Sequence, residues 1–357
     1  MVRCGSGNAG RSSGKAMSDD FKNDLSFSAS REAMLDRCSR QFYYAVYLMW
    51  NGWWNRNKKP EPRRAAAYNA KHATTEAALA GSIVHIMAEW AINQAKRDTS
   101  FFSRFGGREG IRDHMHSMAG RRIDEALAQA RSQIRGSPKK WTQLVSINNG
   151  GEADEAWLRD RVRTRIDALC AEDEAWDNEP TPEGAPRPHI NLLVRAVNAA
   201  DRVVHCEELI EWNIWTTFGQ VKAFLKHDLV MRSPREPSTC TIVDWKTGKD
   251  HDENGEQLDF YSAWAASNGW QRAYTALVYL GDGKTSVRWS EADMDAAVQS
   301  VAIRTNRFVG SLRERLVDKD IAQNEPIESA FESTTNAYHC RSCSFAQLCE
   351  RDGTKPR

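Results

Sequence analysis

The sequence predicts an α/β protein in which helices flank a mixed central sheet, and its apolar runs support this fold. Residues 224–231 and 241–246 have the composition of strands, and a Ser- and Pro-rich segment between them favours a hairpin. Residues 273–280 and 286–289 flank the turn-like sequence Gly-Asp-Gly-Lys and predict a second hairpin. Because helical patterns occur before and between these strands, the sheet is expected to contain parallel as well as antiparallel pairs.

Helical patterns account for most of the remaining chain. Ser28 is a suitable N-cap for a helix that includes Cys38. Residues 74–96 have the pattern of a second helix, and the polar stretch 101–176 also contains helical periodicity. Residues 291–321 predict one long amphipathic helix after the second hairpin.

The domain organisation follows from changes in composition along the 357 residues. A polar, Gly-, Ser- and Arg-rich start predicts disorder, and a proline-rich linker near 178–189 ends a helical insertion. The predicted parts are a tail at 1–20, an N-terminal helical part at 21–98, the insertion and linker at 99–189, a core beginning near Leu192 within 190–325, and a cysteine segment at 326–357.

The formal charge of +1 hides local basic stretches. Residues 96–140 carry eleven Lys and Arg against five acids, and residues 56–71 carry six against one. Such stretches could follow a phosphate backbone, although charge runs are as often solvated faces. The chain has no apolar run of the ~18 residues that a membrane span needs and no apolar secretory segment, which predicts a cytoplasmic protein without a membrane partner.

Two acids on the first hairpin predict a metal site. Side chains two residues apart share a strand face, so Asp244 and Lys246 are expected to point together. A turn centred near Glu236 places Asp228 opposite Asp244, with Cβ atoms ~5 Å apart. Carboxylates at that distance repel unless a cation such as Mg²⁺ lies between them.

Each of these residues also has an ordinary structural interpretation. An isolated Asp-x-Lys is common and usually marks a solvated strand edge. Gln257 could complete a capping box with Asn254, and Tyr261 could belong to the core. His85 and Glu89 lie one helical turn apart and either could reach a metal, but a lone histidine on an amphipathic helix is more often structural.

Asp228, Asp244-x-Lys246 and the later Gln257-x-x-x-Tyr261 together resemble the RecB-type branch of the PD-(D/E)XK nuclease superfamily. The resemblance extends over most of the chain in separated segments. It implies a restriction-endonuclease-like fold in which the two acids hold a metal and the lysine assists the attacking water. The helix that carries the glutamine and the tyrosine is then expected to lie beside the site.

The resemblance adds one ligand and shows one departure. In the RecB-type branch, a helix with Gly-x-x-x-His precedes the core, so Gly81-x-x-x-His85 implies that His85 is a metal ligand beside Asp228 and Asp244. Imidazole suits Mn²⁺, so either Mg²⁺ or Mn²⁺ is expected. The branch usually has a glycine about three residues before the first acid, where this chain has Leu225.

A strand predicted at 202–212 carries three further acids, Glu207, Glu208 and Glu211. Any of them could assist the metal or position water. Glu208 is the preferred candidate.

The cysteines near the C-terminus predict a second site. Cys340, Cys343 and Cys349 have the spacing C-x2-C-x5-C and need a fourth ligand, for which Cys38 is the choice. RecB-type nucleases with an iron-sulfur cluster have a similar arrangement, which implies that these four hold a [4Fe-4S] cluster. Structural Zn²⁺ is the open alternative. The unassigned cysteines are Cys4, Cys170, Cys206 and Cys240.

The resemblance to CRISPR-associated adaptation nucleases and to the nuclease domains of recombination helicase-nucleases implies a function. A metal-dependent deoxyribonuclease is expected, acting as an exonuclease on DNA with single-stranded character, in repair, recombination or phage defence and CRISPR adaptation. A helicase or a defence complex is the expected partner. The alternative is a non-catalytic DNA-binding or scaffolding subunit that keeps the fold and the cluster, and the departure at Leu225 is its sequence support.

Overall fold

The structure is a computed structural model that describes residues 23–53, 59–132, 142–171, 193, 196–197, 199–248, 253–281 and 285–354. The predicted tail at 1–20, the linker at 178–189, the core start at Leu192 and the turn residues 282–284 lie outside these ranges. Within the described residues, helices flank a single mixed sheet, which confirms the predicted fold class.

The sheet contains two parallel and three antiparallel pairs of strands. Its order is β1-β3-β4-β5-β6, with β2 paired to the remaining edge of β3. β1 runs parallel to β3 and β4 runs parallel to β5. The strands are β1 at Ser26–Phe27, β2 at Val203–Thr216, β3 at Gly219–Arg232, β4 at Thr239–Lys246, β5 at Arg272–Leu280 and β6 at Thr285–Glu291.

Both predicted hairpins are present, β3–β4 and β5–β6. In the first hairpin Leu229 pairs with Val243, which is the register predicted from the turn. One further step along this register brings Asp228 level with Asp244. There the Oδ2 of Asp228 accepts a hydrogen bond of 2.7 Å from the backbone N–H of Trp245.

The long strand β3 explains why the site forms at this point of the sheet. One edge of β3 pairs with β2 along most of its length. The other edge pairs with β1 at Lys222 and Ala223, and with β4 only from Leu229 onward. β3 therefore changes partners beside Asp228, and a carboxylate rather than a backbone carbonyl accepts from β4 there.

The helices fall into two groups, one on each face of the sheet. In chain order they are α1 at Ala29–Arg37, α2 at Ser39–Tyr43, α3 at Pro62–His72, α4 at Glu76–Arg97, α5 at Phe101–Arg104, α6 at Gly107–Ser132, α7 at Val145–Asn148, α8 at Glu155–Leu169, α9 at Glu253–Ser267, α10 at Met294–Arg313, α11 at Ala337–Arg341 and α12 at Ala346–Arg351.

One apolar cluster joins α4, α6 and α8 to the face of the sheet that carries Leu229, Val243 and Trp245. Another joins α1, α2, α9 and α10 to the opposite face. The described helices of the predicted insertion therefore share a core with α4 and the sheet. The domain boundaries remain predictions.

Two local predictions were wrong. Cys38 is not helical, because its backbone is extended (φ −162°) between α1 and α2 and its side chain accepts the N-cap hydrogen bond of α2. The long helix predicted to reach residue 321 ends at Arg313, and a short 3-10 turn at Val317–Lys319 follows it. By contrast, Ser28 caps α1 as predicted.

None of the helices in the described part of the chain is both long enough and apolar enough to cross a membrane.

Candidate active site

A cleft of about 590 Å³ lies between α4, the strands β2, β3 and β4, and α9. All of the catalytic and metal-binding residues predicted for the acid and lysine site line this cleft. Its polar lining consists chiefly of His85, Glu89, Glu207, Lys226, Asp228, Asp244, Lys246, Gln257 and Tyr261. The sequence analysis did not assign a role to Lys226, although Lys226-x-Asp228 mirrors Asp244-x-Lys246 on the neighbouring strand.

Helix α4 holds His85 against three backbone or carboxylate oxygens. Its Nε2 lies 3.1 Å from the carbonyl oxygen of Trp245, and its Nδ1 lies 2.7 Å from Glu207 Oε1 and 3.2 Å from Asp228 Oδ1. Since carboxylate and carbonyl oxygens only accept, both ring nitrogens act as donors in the metal-free protein, and a metal bound at Nδ1 would replace the proton there. Burial alone would lower the pKa of His85, but Asp228 and Glu207 raise it to about 10.

Gly81, one turn before His85, permits a close approach between α4 and the end of β4. A Cβ atom at this position would lie 2.8 Å from Thr247 Oγ1, well inside van der Waals contact. Close packing therefore explains why the Gly-x-x-x-His motif has a glycine at position 81. It lets the segment directly after Lys246 lie against the helix that carries the histidine.

The structure corrects the preference for Glu208 among the three acids of β2. Glu207 points into the cleft and its side chain is only 2% exposed. Glu208 lies on the other side of the strand, where it contacts His205 Nδ1 at 2.6 Å. Glu211 pairs with Lys222 at 3.2 Å, away from the metal-ligand group.

A left-handed backbone at Glu207 (φ 52°) explains this orientation. Cys206 packs on the α4 side of the sheet, so regular alternation would return the side chain of Glu208 to that side. The left-handed residue interrupts the alternation and turns Glu207 to the α4 side instead. Such a conformation is uncommon and costs ~1–3 kcal/mol outside glycine, and strained residues of this kind are concentrated at functional sites.

The charges of the site depend on one another. Burial raises the pKa of Asp228, and the charge of Asp244 raises it further. Burial also acts to raise the pKa of Glu207, but His85 and Lys226 lower it in net. The buried carboxyl groups of Asp228 and Glu207 therefore share the positive charges of His85 and Lys226, whereas Asp244 pairs with Lys246.

Asp244 is held by residues from α9 and by Lys246. Its Oδ1 accepts hydrogen bonds from Tyr261 Oη at 2.8 Å and from Gln257 Nε2 at 3.1 Å. The Nζ of Lys246 lies 2.6 Å from Oδ2 and donates to Gln257 Oε1 at 2.5 Å. The contact with Oδ2 is an ion pair without hydrogen-bond alignment, so this buried oxygen has no hydrogen bond among the described residues. Gln257 thus bridges the acid and the lysine.

His227 precedes Asp228 and points to the opposite face, where its ring lies 4.1 Å from that of Trp264 and 5.1 Å from that of Tyr261. It is fully buried, and neither ring nitrogen has a hydrogen-bond partner among the described residues. Burial, with a smaller contribution from His205, lowers the pKa of His227 to about 3. His227 is therefore a neutral packing residue under the acids of the site.

The donor set fits a divalent cation. Ligand atoms of His85, Glu207 and Asp228 all lie within 4.8 Å of one another. Asp244 lies outside this group, and its buried Oδ2, which has no hydrogen bond among the described residues, is paired with Lys246 at 2.6 Å. Carboxylate oxygens suit Mg²⁺ and Mn²⁺, and an imidazole in the set suits Mn²⁺. This group contains Glu207 and lacks Asp244, whereas the predicted set was His85, Asp228 and Asp244.

The four predicted cluster cysteines line one small cavity, together with Gln41, Thr334 and His339 (lining cysteines: Cys38, Cys340, Cys343 and Cys349). The backbone N–H groups of Gln41 and Thr334 both donate to the sulfur of Cys38, each at 3.4 Å. No three of the four sulfur atoms lie within 4.8 Å of one another. The residues thus share a cavity, but their sulfur atoms are not closely clustered.

The two basic stretches are partly neutralised. In the first, Arg131 pairs with Glu155 at 2.8 Å and Arg104 pairs with Asp98 at 2.6 Å. In the second, Arg63 pairs with Asp352 at 2.7 Å. These contacts show solvated or structural roles for some of the charges, and a role for either stretch in DNA binding remains a prediction.

The fold and the cleft together define an α/β protein with a histidine and carboxylate site suited to a divalent metal. A comparison with protein families identifies the superfamily of the chain. The profile of the PD-(D/E)XK nuclease superfamily matches residues 26–350. The chain therefore belongs to the PD-(D/E)XK nuclease superfamily, whose members are metal-dependent nucleases.

Similarity to individual proteins is weaker than the match to the superfamily profile. Among curated proteins, none matches the chain. Among solved structures, the protein described as "Crystal structure of SSO0001" is 14% identical, with a TM-score of 0.24 and a match over 41% of this chain. The match covers 60% of that protein, which is less than two thirds of its length. The fold assignment does not depend on this similarity.

Proposed function

We propose that the protein is a Mg²⁺- or Mn²⁺-dependent deoxyribonuclease of the RecB type. The observation that carries the proposal is the convergence of His85, Glu207 and Asp228 within 4.8 Å, directly beside the linked pair Asp244 and Lys246. Membership of the nuclease superfamily supports phosphodiester hydrolysis as the reaction.

The metal would be held by His85, Glu207 and Asp228, with Asp244 as a further ligand through its Oδ2 atom. When bound, a divalent cation supplies positive charge where negative charge develops on the phosphate. The imidazole ligand favours Mn²⁺ over Mg²⁺, because Mg²⁺ prefers oxygen ligands and retains several waters.

Lys246 is positioned to orient the attacking water and to stabilise charge on the phosphate. Its ammonium is fixed by Asp244 and by Gln257, so little reorganisation is needed during the reaction. Tyr261 and Gln257 in turn fix Asp244. These two α9 residues therefore act as positioning residues through the acid and the lysine.

We further infer a DNA substrate with single-stranded character and exonuclease action, in repair, recombination or phage defence, with a helicase or defence complex as partner. These finer points rest on the resemblance to RecB-type nucleases. The alternative of a non-catalytic DNA-binding or scaffolding subunit predicts the same fold and cavity without turnover, so only an activity measurement separates the two.

The decisive experiment compares Lys246→Met with Asp244→Ala. Lys246→Met keeps all the proposed ligands, so it should still show a Mn²⁺-dependent rise in melting temperature while cleavage of labelled single strands falls about a hundredfold or more. Asp244→Ala should lose cleavage and also weaken Mn²⁺ binding. The two variants therefore separate chemistry from metal binding.

The outcome that contradicts the proposal is equally specific. If Lys246→Met protein, purified in the same way, cuts DNA as fast as the wild type, any nuclease activity belongs to other residues or to a contaminant. If the wild type binds DNA but fails to cut it with Mg²⁺ or Mn²⁺, the non-catalytic alternative is favoured.

We also propose that the cysteine cavity holds a [4Fe-4S] cluster. Two backbone N–H groups directed at the sulfur of Cys38 support a thiolate there, because such hydrogen bonds stabilise cluster ligands. A tetrahedral zinc with Zn–S bonds of ~2.3 Å needs its four sulfurs ~3.8 Å apart. No three of the four sulfurs meet within 4.8 Å, so they are farther apart than a bound zinc would hold them.

The cluster would connect Cys38 to three cysteines about three hundred residues later, and the ion pair of Arg63 with Asp352 joins the same two parts of the chain. Cys343→Ala should therefore lose iron and lower the melting temperature of anaerobically purified protein. Cys170→Ala, at a buried cysteine outside the cavity, is the matched control and should keep its iron. Zinc without iron in the wild type would reverse the assignment.

A further inference from the structure

The face of β2 and β3 beyond the cleft is open to solvent and carries large apolar side chains. Leu209 is 66% exposed and Trp215 is 73% exposed, which is unusual for residues of the sheet. Trp212, only three residues earlier, instead packs on Phe260 with ring centroids 4.8 Å apart. The two tryptophans therefore lie on opposite faces of β2, and only the face that carries Trp215 is open to solvent.

Strand alternation and register define this face. Leu209 pairs with Lys226 and Trp215 pairs with Gln220, so the four residues lie on one side of the hairpin. Between them lie Glu211 opposite Phe224 and Asn213 opposite Lys222. We call these eight residues the hairpin face.

The hairpin face is continuous with the active-site cleft. Lys226 belongs to both, because it lines the cleft and its ammonium contacts Glu207. From Lys226 to Gln220 the strand covers six residues, or ~20 Å at ~3.3 Å per residue. The face therefore leads from the proposed metal ligands to Trp215 as one uninterrupted strip.

The chemistry of the hairpin face fits a single strand better than a protein partner. It combines two exposed or half-buried aromatic rings, Trp215 and Phe224, with two lysines, two amide side chains, Leu209 and one acid, Glu211, which lies 3.2 Å from Lys222. Bases stack on aromatic rings, and lysines follow the backbone, in proteins that bind single strands without sequence preference. Protein interfaces are instead depleted in lysine at their centres.

We propose that the hairpin face binds the single-stranded DNA that enters or leaves the cleft, with Trp215 as the base-stacking residue farthest from the metal. This inference rests on the proposed nuclease function and adds the path of the substrate outside the catalytic centre. Lys226 and Lys222 neutralise phosphates along that path, while Asn213 and Gln220 remain available for hydrogen bonds.

Lys226 also connects binding on the face to the metal site. Without a metal it pairs with Glu207. When a divalent cation binds the carboxylate of Glu207, the attraction between that carboxylate and the ammonium of Lys226 becomes weaker. Lys226 is then more available to contact a phosphate. Binding of a single strand should therefore be tighter in the presence of a divalent ion that does not support cleavage.

The test uses the Lys246→Met full-length protein, which is expected not to cut, and measures the anisotropy of a short labelled oligo(dT) strand. Adding Trp215→Ala should weaken binding about fivefold or more, since stacking on one aromatic ring is worth ~1–3 kcal/mol per base. Trp215→Tyr should retain most of the affinity. Ile303→Ala, a similarly exposed apolar residue on α10, should leave it unchanged.

An abasic strand of the same length and charge distinguishes stacking from a general effect. Trp215→Ala should not alter the affinity for this strand, because it offers no base to stack. The parent is the Lys246→Met protein without the Trp215→Ala change. Equal affinity of these two proteins for oligo(dT) overturns the inference. So does a loss of affinity for the abasic strand that equals the loss for oligo(dT).

Two further outcomes separate this inference from the proposed function. If the parent protein binds and the wild type cuts DNA while Trp215→Ala changes nothing, only the hairpin face is excluded. If the parent binds no DNA of any kind, both proposals fail. If Trp215→Ala instead abolishes self-association in sedimentation without affecting oligo(dT) binding, the face is an interface between copies of the chain.

Discussion

A comparison of two neighbouring glutamates tests the geometry of the metal site most directly. Glu207→Gln keeps the size of the side chain and an oxygen that can accept from His85, but it removes the charge beside the proposed metal. Glu208→Gln makes the same chemical change one residue later, on the side of the strand that faces His205. Only Glu207→Gln should weaken Mn²⁺ binding.

The magnitude can be worked from the contacts of Glu207. Its charge is already stabilised by His85 and Lys226 in the metal-free protein, so the loss is smaller than a bare Coulomb energy. We expect a decrease of about tenfold to a hundredfold in Mn²⁺ affinity, which is ~1.4–2.7 kcal/mol. An unfolding entropy of ~2.1 cal/mol/K per residue makes 1 kcal/mol equal to about 1.3 °C for 357 residues.

The assay is the rise in melting temperature on adding Mn²⁺, with calorimetric titration as the second measurement. At a concentration about a hundred times the wild-type dissociation constant, the wild type gains ~2.7 kcal/mol, or about 3.5 °C. Glu207→Gln should lose about 2–3 °C of that rise, and Glu208→Gln should keep all of it. Equal rises in the two variants would refute the assignment of Glu207 as a ligand.

Two other predictions concern packing around the site. Gly81→Ala should add up to ~1 kcal/mol of helix propensity yet slow cleavage, because its Cβ would meet Thr247 Oγ1 at 2.8 Å. The double variant Gly81→Ala with Thr247→Ala lacks that oxygen and should cleave as fast as Thr247→Ala alone; a double variant that stays slow would contradict the steric explanation. Gly120→Ala, at a helix position with open space around it, should leave the rate unchanged. His227 has a pKa of about 3 when folded and ~6.5 when unfolded, so the unfolded chain binds more protons between these values and stability falls as pH falls through them. The loss should be about 2 kcal/mol at about pH 5, and denaturant unfolding of His227→Leu against pH should lack it; an unchanged slope would contradict the buried neutral state of His227.

The hairpin register could be predicted from the sequence because both of its determinants are local. The turn residues between β3 and β4 fix where the chain reverses, and the period of two along each strand fixes which side chains share a face. Counting outward from the turn was therefore enough to place Asp228 level with Asp244. The same reasoning placed Asp244 and Lys246 together, and they form an ion pair.

The conformation of Cys38 could not be predicted from local pattern. A helical period runs through this part of the chain, but the chain breaks between α1 and α2, where the backbone N–H of Thr334 reaches the cysteine sulfur. That contact joins residues 296 positions apart. A sequence window of a dozen residues contains no information about it, so tertiary packing overrides the helix propensity there.

The choice among the acids of β2 failed for a different physical reason. Alternation is the rule by which a sequence predicts strand faces, and it holds for Leu209, Glu211, Asn213 and Trp215. It fails at Glu207, the left-handed residue of β2, because a glutamate, unlike a glycine or an asparagine, does not indicate such a conformation in the sequence. The backbone there directs its carboxylate to His85 on α4 and Lys226 on β3. The residue that breaks the pattern is thus the one whose side chain is committed to the site, and the strain at Glu207 is itself a reason to assign it a function.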